Sequence, residues 1–176
     1  MNNNLIITIS RQYGTGGREI GQKLALRLGI PFYDRELITR AAKKTGFDEK
    51  LFEQLDKRAT NSFLYSLTMF GSVGLNGMSL TDQLYLAQSN IVREMAEDSA
   101  CVIVGRCADH VLRDFPNKFD FFIHGSIEDR VKRIQTCGDY EIEGKTPESA
   151  LEKMDKQRST YYNYYTGKVW GKCDHY

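Results

Sequence analysis

The sequence lacks any marked excess of one charge. Its 24 lysine and arginine residues are matched by 23 aspartate and glutamate residues, so the net charge is +1. Without a strongly basic or acidic surface, no overall field favours nucleic acid or an anionic membrane as a partner. We therefore expect no nucleic acid and no membrane partner, and a monomer or homodimer. Any recognition of anions must come from local groups.

Metal-binding and disulfide motifs are also missing. The four cysteines form no CxxC pair, and the three histidines are scattered along the chain. This usage is typical of reduced thiols in a cytosolic protein, so no metal site is predicted. No apolar run approaches the roughly 18 residues of a membrane span, and the first ten residues lack the basic start of a signal peptide. The sequence therefore predicts a cytoplasmic protein.

The 176 residues suit one compact domain in which strands and helices alternate. Short apolar runs predict strands at residues 5–9, 30–34, 101–105 and 119–124. Helical patterns lie between and after them: one on Ile20, Leu24 and Leu28 that ends at Gly29, and others at 35–44, 79–95, 127–134 and 147–165. Such alternation predicts an α/β fold with a parallel sheet between two layers of helices.

A glycine-rich turn follows the first predicted strand. Gly14, Gly16 and Gly17 precede a helix, and this arrangement exposes backbone N–H groups beside about half a unit of positive charge at the helix N-terminus. The sequence therefore predicts an anion site here. A plain glycine turn without a ligand remains the alternative.

The turn departs from the usual phosphate-loop pattern G-x-x-x-x-G-K-[ST]. In the matching register, Arg11 stands at the first glycine, Gly17 at the lysine and Arg18 at the hydroxyl residue. A shift of one residue brings Arg18 to the lysine position but places Gln12 at the first glycine. Both arginines suit phosphate oxygens, because a guanidinium group donates hydrogen bonds in a fork.

The stretch from Ile7 to Ile20, together with Pro31–Leu37, resembles the cytidylate kinase-like family of P-loop nucleoside monophosphate kinases. Residues 104–109, 129–134 and 155–162 also match that family. The resemblance implies a three-layer P-loop NTPase fold, with a parallel sheet of about five strands flanked by helices. It also implies transfer of the ATP γ-phosphoryl group to a nucleoside monophosphate, with CMP or dCMP as the expected acceptor and nucleotides as the small-molecule partners.

The resemblance further implies a set of site residues. The donor phosphates would contact Arg11, Gly14, Thr15, Gly16, Gly17, Arg18 and Glu19, and the acceptor would contact Asp34 and Arg106. The catalytic arginines would be Arg18, Arg130, Arg133 and Arg158, with Arg18 first and Arg11 second as replacement for the lysine. ATP and Mg²⁺ are the implied cofactors, and Thr15, Glu19 or Asp34 would orient the metal through water. Ordinary interpretations remain for five of these residues. Arg130 and Arg133 could be solvated on one helix face, Arg106 could be a surface residue, Arg158 could pair with Asp155, and Asp34 could cap the following helix.

One domain is expected over residues 1–176, with two accessory regions. Residues of about 47–100 would form a helical acceptor-binding or cover insertion, and residues of about 135–160 a lid-like region. A loop packed on the core is the alternative for residues 47–79. A non-catalytic nucleotide-binding module, or a phosphotransferase for another small molecule, remain alternatives to the nucleotide kinase.

Overall fold

The structure, a computed structural model, describes residues 4–34, 37, 40, 79–138, 140 and 146–176. The elements follow in the order β1 (Ile6–Arg11), α1 (Gly17–Leu28), β2 (Phe32–Tyr33), α2 (Leu80–Asp98), β3 (Cys101–Val104), α3 (Ala108–Val111), β4 (Lys118–Ile123), α4 (Ile127–Thr136) and α5 (Pro147–Thr166), with a 3₁₀ turn at Cys173–His175. The four strands predicted from the sequence are confirmed, with ends that differ by no more than two residues.

The four strands form one parallel sheet in the order β2-β3-β1-β4. The described residues thus contain one strand fewer than the five or so that the family resemblance implies. β1 is central, because Ile9 pairs with Val104 of β3 on one side and with Phe121 of β4 on the other. All the strands are parallel, so their carboxyl ends meet at one edge, which is where open α/β sheets bind ligands.

Alternate residues of the central strands face two separate cores, which gives the three layers. Ile6, Cys101 and Ile103 pack with α2 and α3 on one face of the sheet. Ile7, Ile9, Val102 and Val104 pack against Leu24 and Ala25 of α1 on the other. A strand that is apolar throughout therefore indicates burial on both faces, as expected for a parallel sheet.

The predicted helix starts at Ser79, Ser126 and Thr146 are confirmed by their caps. Each side-chain oxygen accepts a hydrogen bond from the backbone N–H three residues later, at 3.1, 3.1 and 3.2 Å respectively. These bonds satisfy donors that a helix N-terminus otherwise leaves without partners.

Helix α1 ends at Gly29 as predicted, but its apolar face differs from the expectation. Ile20 and Leu28 are 44% and 45% exposed, whereas Gly21 and Ala25 are buried. A Cβ atom at position 21 would lie 2.9 Å from Val104 Cγ2 and 3.0 Å from Phe32 Cε2. The helix therefore approaches the sheet through its small residues, and the larger apolar side chains flank this contact.

Several expectations fall wholly or partly outside the described residues. These are the helix at 35–44, apart from Leu37 and Arg40, most of the insertion at about 47–100, and residues 139 and 141–145 of the lid-like region. All four cysteines are free thiols. Among the described helices, none combines the length and apolar character needed to cross a bilayer.

Candidate functional site

The glycine-rich turn lies between β1 and α1, and two of its glycines adopt left-handed backbone angles. Gly14 has φ 79° and Gly16, the N-cap of α1, has φ 75°. Within the described residues no side chain caps this helix, and the first internal bond runs from the Ile20 N–H to the Gly16 carbonyl at 3.0 Å. The N–H groups of Gly17, Arg18 and Glu19 therefore have no acceptor within the helix, as an anion site requires.

The turn also lies too close to other elements for side chains at its glycines. A Cβ atom at position 14 would lie 3.0 Å from the Arg130 carbonyl oxygen, and one at position 16 would lie 2.6 Å from Arg133 Cζ. Positive φ and close approach act together here, because L-residues rarely adopt such angles. Gly14 and Gly16 therefore fix the turn against α4.

An ion pair between α4 and α5 binds the backbone at the base of the turn. Arg130 on α4 and Asp155 on α5 form a salt bridge, and Arg130 is only 5% exposed. Asp155 Oδ1 accepts a hydrogen bond from the Tyr13 N–H at 2.7 Å, and Arg130 Nε donates to the Tyr13 carbonyl at 2.7 Å. Both backbone groups of Tyr13 are thus fixed by one pair of opposite charges, and we call this group the loop brace.

The two arginines of α4 are both engaged with the turn or its neighbours. The guanidinium group of Arg130 contacts Asp155 and Tyr13, which is a structural role that the sequence did not predict for it. Arg133, one turn further along α4, pairs with Glu19 and donates from Nε to the Tyr140 hydroxyl at 3.2 Å. Arg133 therefore lies over Gly16, at the outer side of the turn. The catalytic roles that the family resemblance implies for the two arginines stay predictions.

Glu19 lies between two cations at the start of α1. Its carboxylate pairs with Lys23 at 2.6 Å and with Arg133. Hydrogen bonding and charge from Lys23, followed by the same effects from Arg133, lower the pKa of Glu19. An acid in the first turn also suits the helix dipole. This arrangement ties α1 to α4 beside the turn.

A cleft of about 200 Å³ opens beside the turn, at the carboxyl edge of the sheet. Its walls contain three of the predicted arginines and one acid: Arg11, Arg106, Arg158 and Asp34. The opposite wall comes from α5 and the residues after it, and includes Gln157, Tyr161, Tyr162 and Trp170. The strand ends thus bring the predicted acceptor residues Asp34 and Arg106 together with Arg11, and α5 adds Arg158.

The arginines of the cleft lie close enough to influence one another's charge. Burial, more than any other influence, lowers the pKa of Arg11, and the charges of Arg106 and Arg18 lower it further while Asp34 opposes them. Burial followed by the charge of Arg11 lowers the pKa of Arg158 to about 9. Both groups are therefore held where their positive charge is disfavoured, which an anionic ligand would relieve.

Arg158 and Arg18 are positioned by different contacts. Arg158 Nη1 donates to the Arg11 carbonyl at 2.9 Å, and its guanidinium carbon lies 5.2 Å from the centre of the Tyr13 ring. Asp155 is occupied by Arg130. Arg18 is 52% exposed in its side chain, and its Nε donates to Asp34 Oδ2 at 2.9 Å. Arg18 therefore lies on the rim of the cleft and Arg158 in its wall.

The chain leaves β3 through three consecutive residues with positive φ. Gly105, Arg106 and Cys107 have φ 81°, 60° and 52°. Residues other than glycine are uncommon in this region, and such strain concentrates at functional sites. Of the three, Gly105 alone gives a signal in the sequence. Arg106, in this turn, lines the cleft.

Gln157 is a cleft residue for which the sequence predicted no role. It is 8% exposed, and neither its Oε1 nor its Nε2 has a hydrogen-bond partner among the described residues. An amide buried without partners costs free energy, and native proteins seldom retain one without a reason. No sequence signal could have found it, because the missing partners depend on the surrounding fold.

The implied Mg²⁺ has few possible protein ligands in the part of the chain that the structure describes. That part contains no group of three or more potential metal ligands. The Thr15 hydroxyl donates to the Gln12 carbonyl at 2.9 Å, and Glu19 is paired with two cations. Among the described residues, Asp34 is the one carboxylate that lines the cleft. Mg²⁺ is often held by one or two carboxylates and substrate phosphates, so Asp34 would be its protein contact, through the oxygen that does not accept from Arg18.

Comparison with solved structures supports the P-loop kinase fold. An uncharacterized protein from Eubacterium ventriosum is 29% identical, with a TM-score of 0.66, over 98% of this chain and 84% of that chain. A shikimate kinase from Bacteroides thetaiotaomicron is 15% identical, with a TM-score of 0.53, over 90% of this chain and 82% of that chain. The latter likeness concerns the fold alone. Comparison with curated proteins gave no match.

The family comparison covers nearly the whole chain and agrees with the geometry of the turn. A family model described as cytidylate kinase-like matches residues 6–176, a range that includes both the glycine-rich turn and the cleft. On this evidence, the chain belongs to the cytidylate kinase-like family.

Proposed function

We propose that this chain is a phosphotransferase that moves the γ-phosphoryl group of ATP to a small anionic acceptor, with CMP or dCMP as the expected acceptor. The observation that supports it most is the position of the cleft. Three arginines and one acid line a cavity directly beside a turn whose N–H groups are open to an anion. A donor and an acceptor would thus meet at one edge of the sheet.

The turn and the cleft would divide the binding between them. The N–H groups from Gly14 to Glu19 would hold the donor phosphates, and Arg106 and Arg158 would hold the acceptor. Phosphoryl transfer depends mainly on positioning and on neutralising charge, and the residues present suit that requirement. A bound Mg²⁺ would supply further charge neutralisation, with Asp34 as its protein contact. The loop brace would keep the turn in place.

A different small acceptor is the second candidate, and Asp34 favours it. A nucleoside monophosphate attacks with a phosphate oxygen that needs no base, whereas an alcohol must lose a proton. Asp34 is a carboxylate in the cleft wall that can accept such a proton. Turnover with a hydroxy acid and none with CMP or dCMP would therefore select this candidate.

An assay of ADP formation with ATP, Mg²⁺ and a panel of acceptors tests the proposal. We expect turnover with CMP or dCMP, and a stabilisation of about 2.7 kcal/mol by ATP at 100 times its dissociation constant. ATP binding without turnover on any acceptor would indicate the non-catalytic nucleotide-binding module. Absence of ATP binding would contradict the proposal.

Two glycine variants provide a matched pair for this assay. Gly14→Ala places a Cβ atom 3.0 Å from the Arg130 carbonyl oxygen and 3.1 Å from Ile134 Cγ2, at φ 79°. Gly29→Ala meets a similar backbone strain, at φ 65°, but its Cβ atom has no described neighbour within 4 Å. We expect Gly14→Ala to lose ATP binding and turnover, and Gly29→Ala to keep both. Equal effects on ATP binding would show that the turn is not the donor site.

A further inference from the structure

We infer that Arg11 supplies the phosphate-binding cation that P-loops ordinarily take from a lysine at the place of Gly17. The cation and the glycine of the usual pattern have thus exchanged places between positions 11 and 17. The long cation stands where the first glycine of the pattern would be, and glycine stands where the lysine would be. The inference rests on the proposed function and names a binding residue within it.

The two departures from the pattern are sterically coupled. A Cβ atom at position 17 would lie 2.7 Å from Arg11 Cβ and 2.9 Å from Arg11 Cγ. Carbon atoms that are not bonded to each other prefer about 3.5 to 4.0 Å. A lysine at position 17 is therefore incompatible with an arginine at position 11 in this backbone. The side chain of Arg11 therefore explains why glycine occupies position 17. The absence of the lysine and the presence of Arg11 are one coupled change.

The side chain of Arg11 runs from the turn into the cleft. Its Cβ and Cγ pass Gly17 at the start of α1, and its Nη1 reaches Gly105 at the end of β3, where a Cβ atom would overlap it. Two glycines on different elements thus border the path of one arginine. Its guanidinium group lies in the cleft wall, between the proposed donor loop and the proposed acceptor residues.

Positive charges outnumber negative ones around Arg11, and an anionic ligand would balance them. After burial, the charges of Arg106 and Arg18 lower the pKa of Arg11, and the charge of Asp34 opposes them. Arg158 Nη1 donates to the carbonyl oxygen of Arg11. Arg18, the other candidate, is half exposed and already contacts Asp34. Position and charge therefore favour Arg11 over Arg18 as the replacement for the lysine.

Calorimetric titration of ATP into four variants tests the inference. Arg11→Met removes the charge and keeps most of the length, and Arg27→Met is an exposed control on α1. Gly17→Lys alone should clash with Arg11, whereas Arg11→Gly combined with Gly17→Lys restores the ordinary pattern. We expect at least tenfold weaker ATP binding for Arg11→Met and Gly17→Lys, which corresponds to about 1.4 kcal/mol and is within reach of one charge-assisted hydrogen bond. For Arg27→Met and the double variant we expect binding within about threefold of wild type.

The outcomes separate this inference from the proposed function. Wild-type protein that binds no ATP overturns the proposed function and the inference with it. Wild-type protein that binds ATP, with folded Arg11→Met binding within threefold of it, overturns the inference alone. If Arg11→Met does not fold, the double variant decides: ATP binding supports the exchange, and a folded protein without binding overturns it. Failure of both to fold makes Arg11 a structural residue and also overturns the inference.

Discussion

The base of the glycine-rich turn pairs its buried polar groups, whereas the cleft beside it contains a buried amide without a described partner and a strained backbone. In the loop brace, Arg130 and Asp155 neutralise each other and satisfy both backbone groups of Tyr13. In the cleft, Gln157 has no partner among the described residues and Arg106 has a positive φ. The contrast predicts that the brace stabilises the fold and that Gln157 and the backbone at Arg106 do not. Substitutions in the two regions should therefore differ in sign.

The largest expected effect is loss of the brace in Asp155→Ala. This change leaves the charge of Arg130 buried without a partner and frees the Tyr13 N–H, so we expect the free energy of unfolding to fall by about 3 kcal/mol or more. Urea denaturation measures it. Asp174→Ala is the control, because Asp174 pairs with Lys172 at the surface and its loss should cost less than about 1 kcal/mol. Equal losses in the two variants would remove the distinction between the brace and an ordinary surface pair.

Gln157→Leu should have the opposite sign and a smaller size. Removing a buried amide that has no described partner relieves its desolvation, so we expect the free energy of unfolding to rise by roughly 1 kcal/mol. Gln88→Leu is the matched control. Gln88 is 1% exposed, but its Oε1 accepts a hydrogen bond from the Tyr161 hydroxyl at 3.4 Å, so its replacement should destabilise the protein.

The same variant tests whether the buried amide of Gln157 serves a ligand. Titration of CMP into Gln157→Leu should show weaker binding than in wild-type protein. A variant that is more stable and binds CMP as well as wild type would show that this amide has no part in acceptor recognition. A variant that is less stable than wild type would mean that the amide is satisfied in solution, by water for example.

Much of the fold and part of the site could be predicted from the sequence, because both depend on local patterns. Apolar runs identify the strands, and the family resemblance implies that Asp34 and Arg106 share a site, as their common place in the cleft lining allows. The brace could not be predicted in the same way. Arg130 and Asp155 are 25 residues apart on different helices, and only the packing of α4 on α5 brings them to Tyr13.

Other features were missed because they belong to the tertiary environment and not to any motif. Gly21 and Ala25 face the sheet because they are small, although Ile20 and Leu28 have the stronger apolar signal. The positive φ of Cys107 has no sequence signature, since residues with side chains seldom adopt it. Steric exclusion at Gly17 likewise depends on where the side chain of Arg11 lies.

An effect no larger than that of Gln157→Leu is expected from strain at Arg106. Arg106→Gly and Arg106→Ala both remove the guanidinium group, so both should weaken binding of CMP to a similar extent. They differ in the backbone, because glycine adopts φ 60° without a steric penalty and alanine does not. A left-handed conformation costs a residue with a Cβ atom roughly 1–2 kcal/mol, and the greater freedom of glycine in the unfolded chain offsets part of this. We therefore expect Arg106→Gly to be about 1 kcal/mol more stable than Arg106→Ala in urea denaturation. Equal stability would show that the exit from β3 relaxes readily, and backbone strain would then no longer distinguish the cleft from the brace.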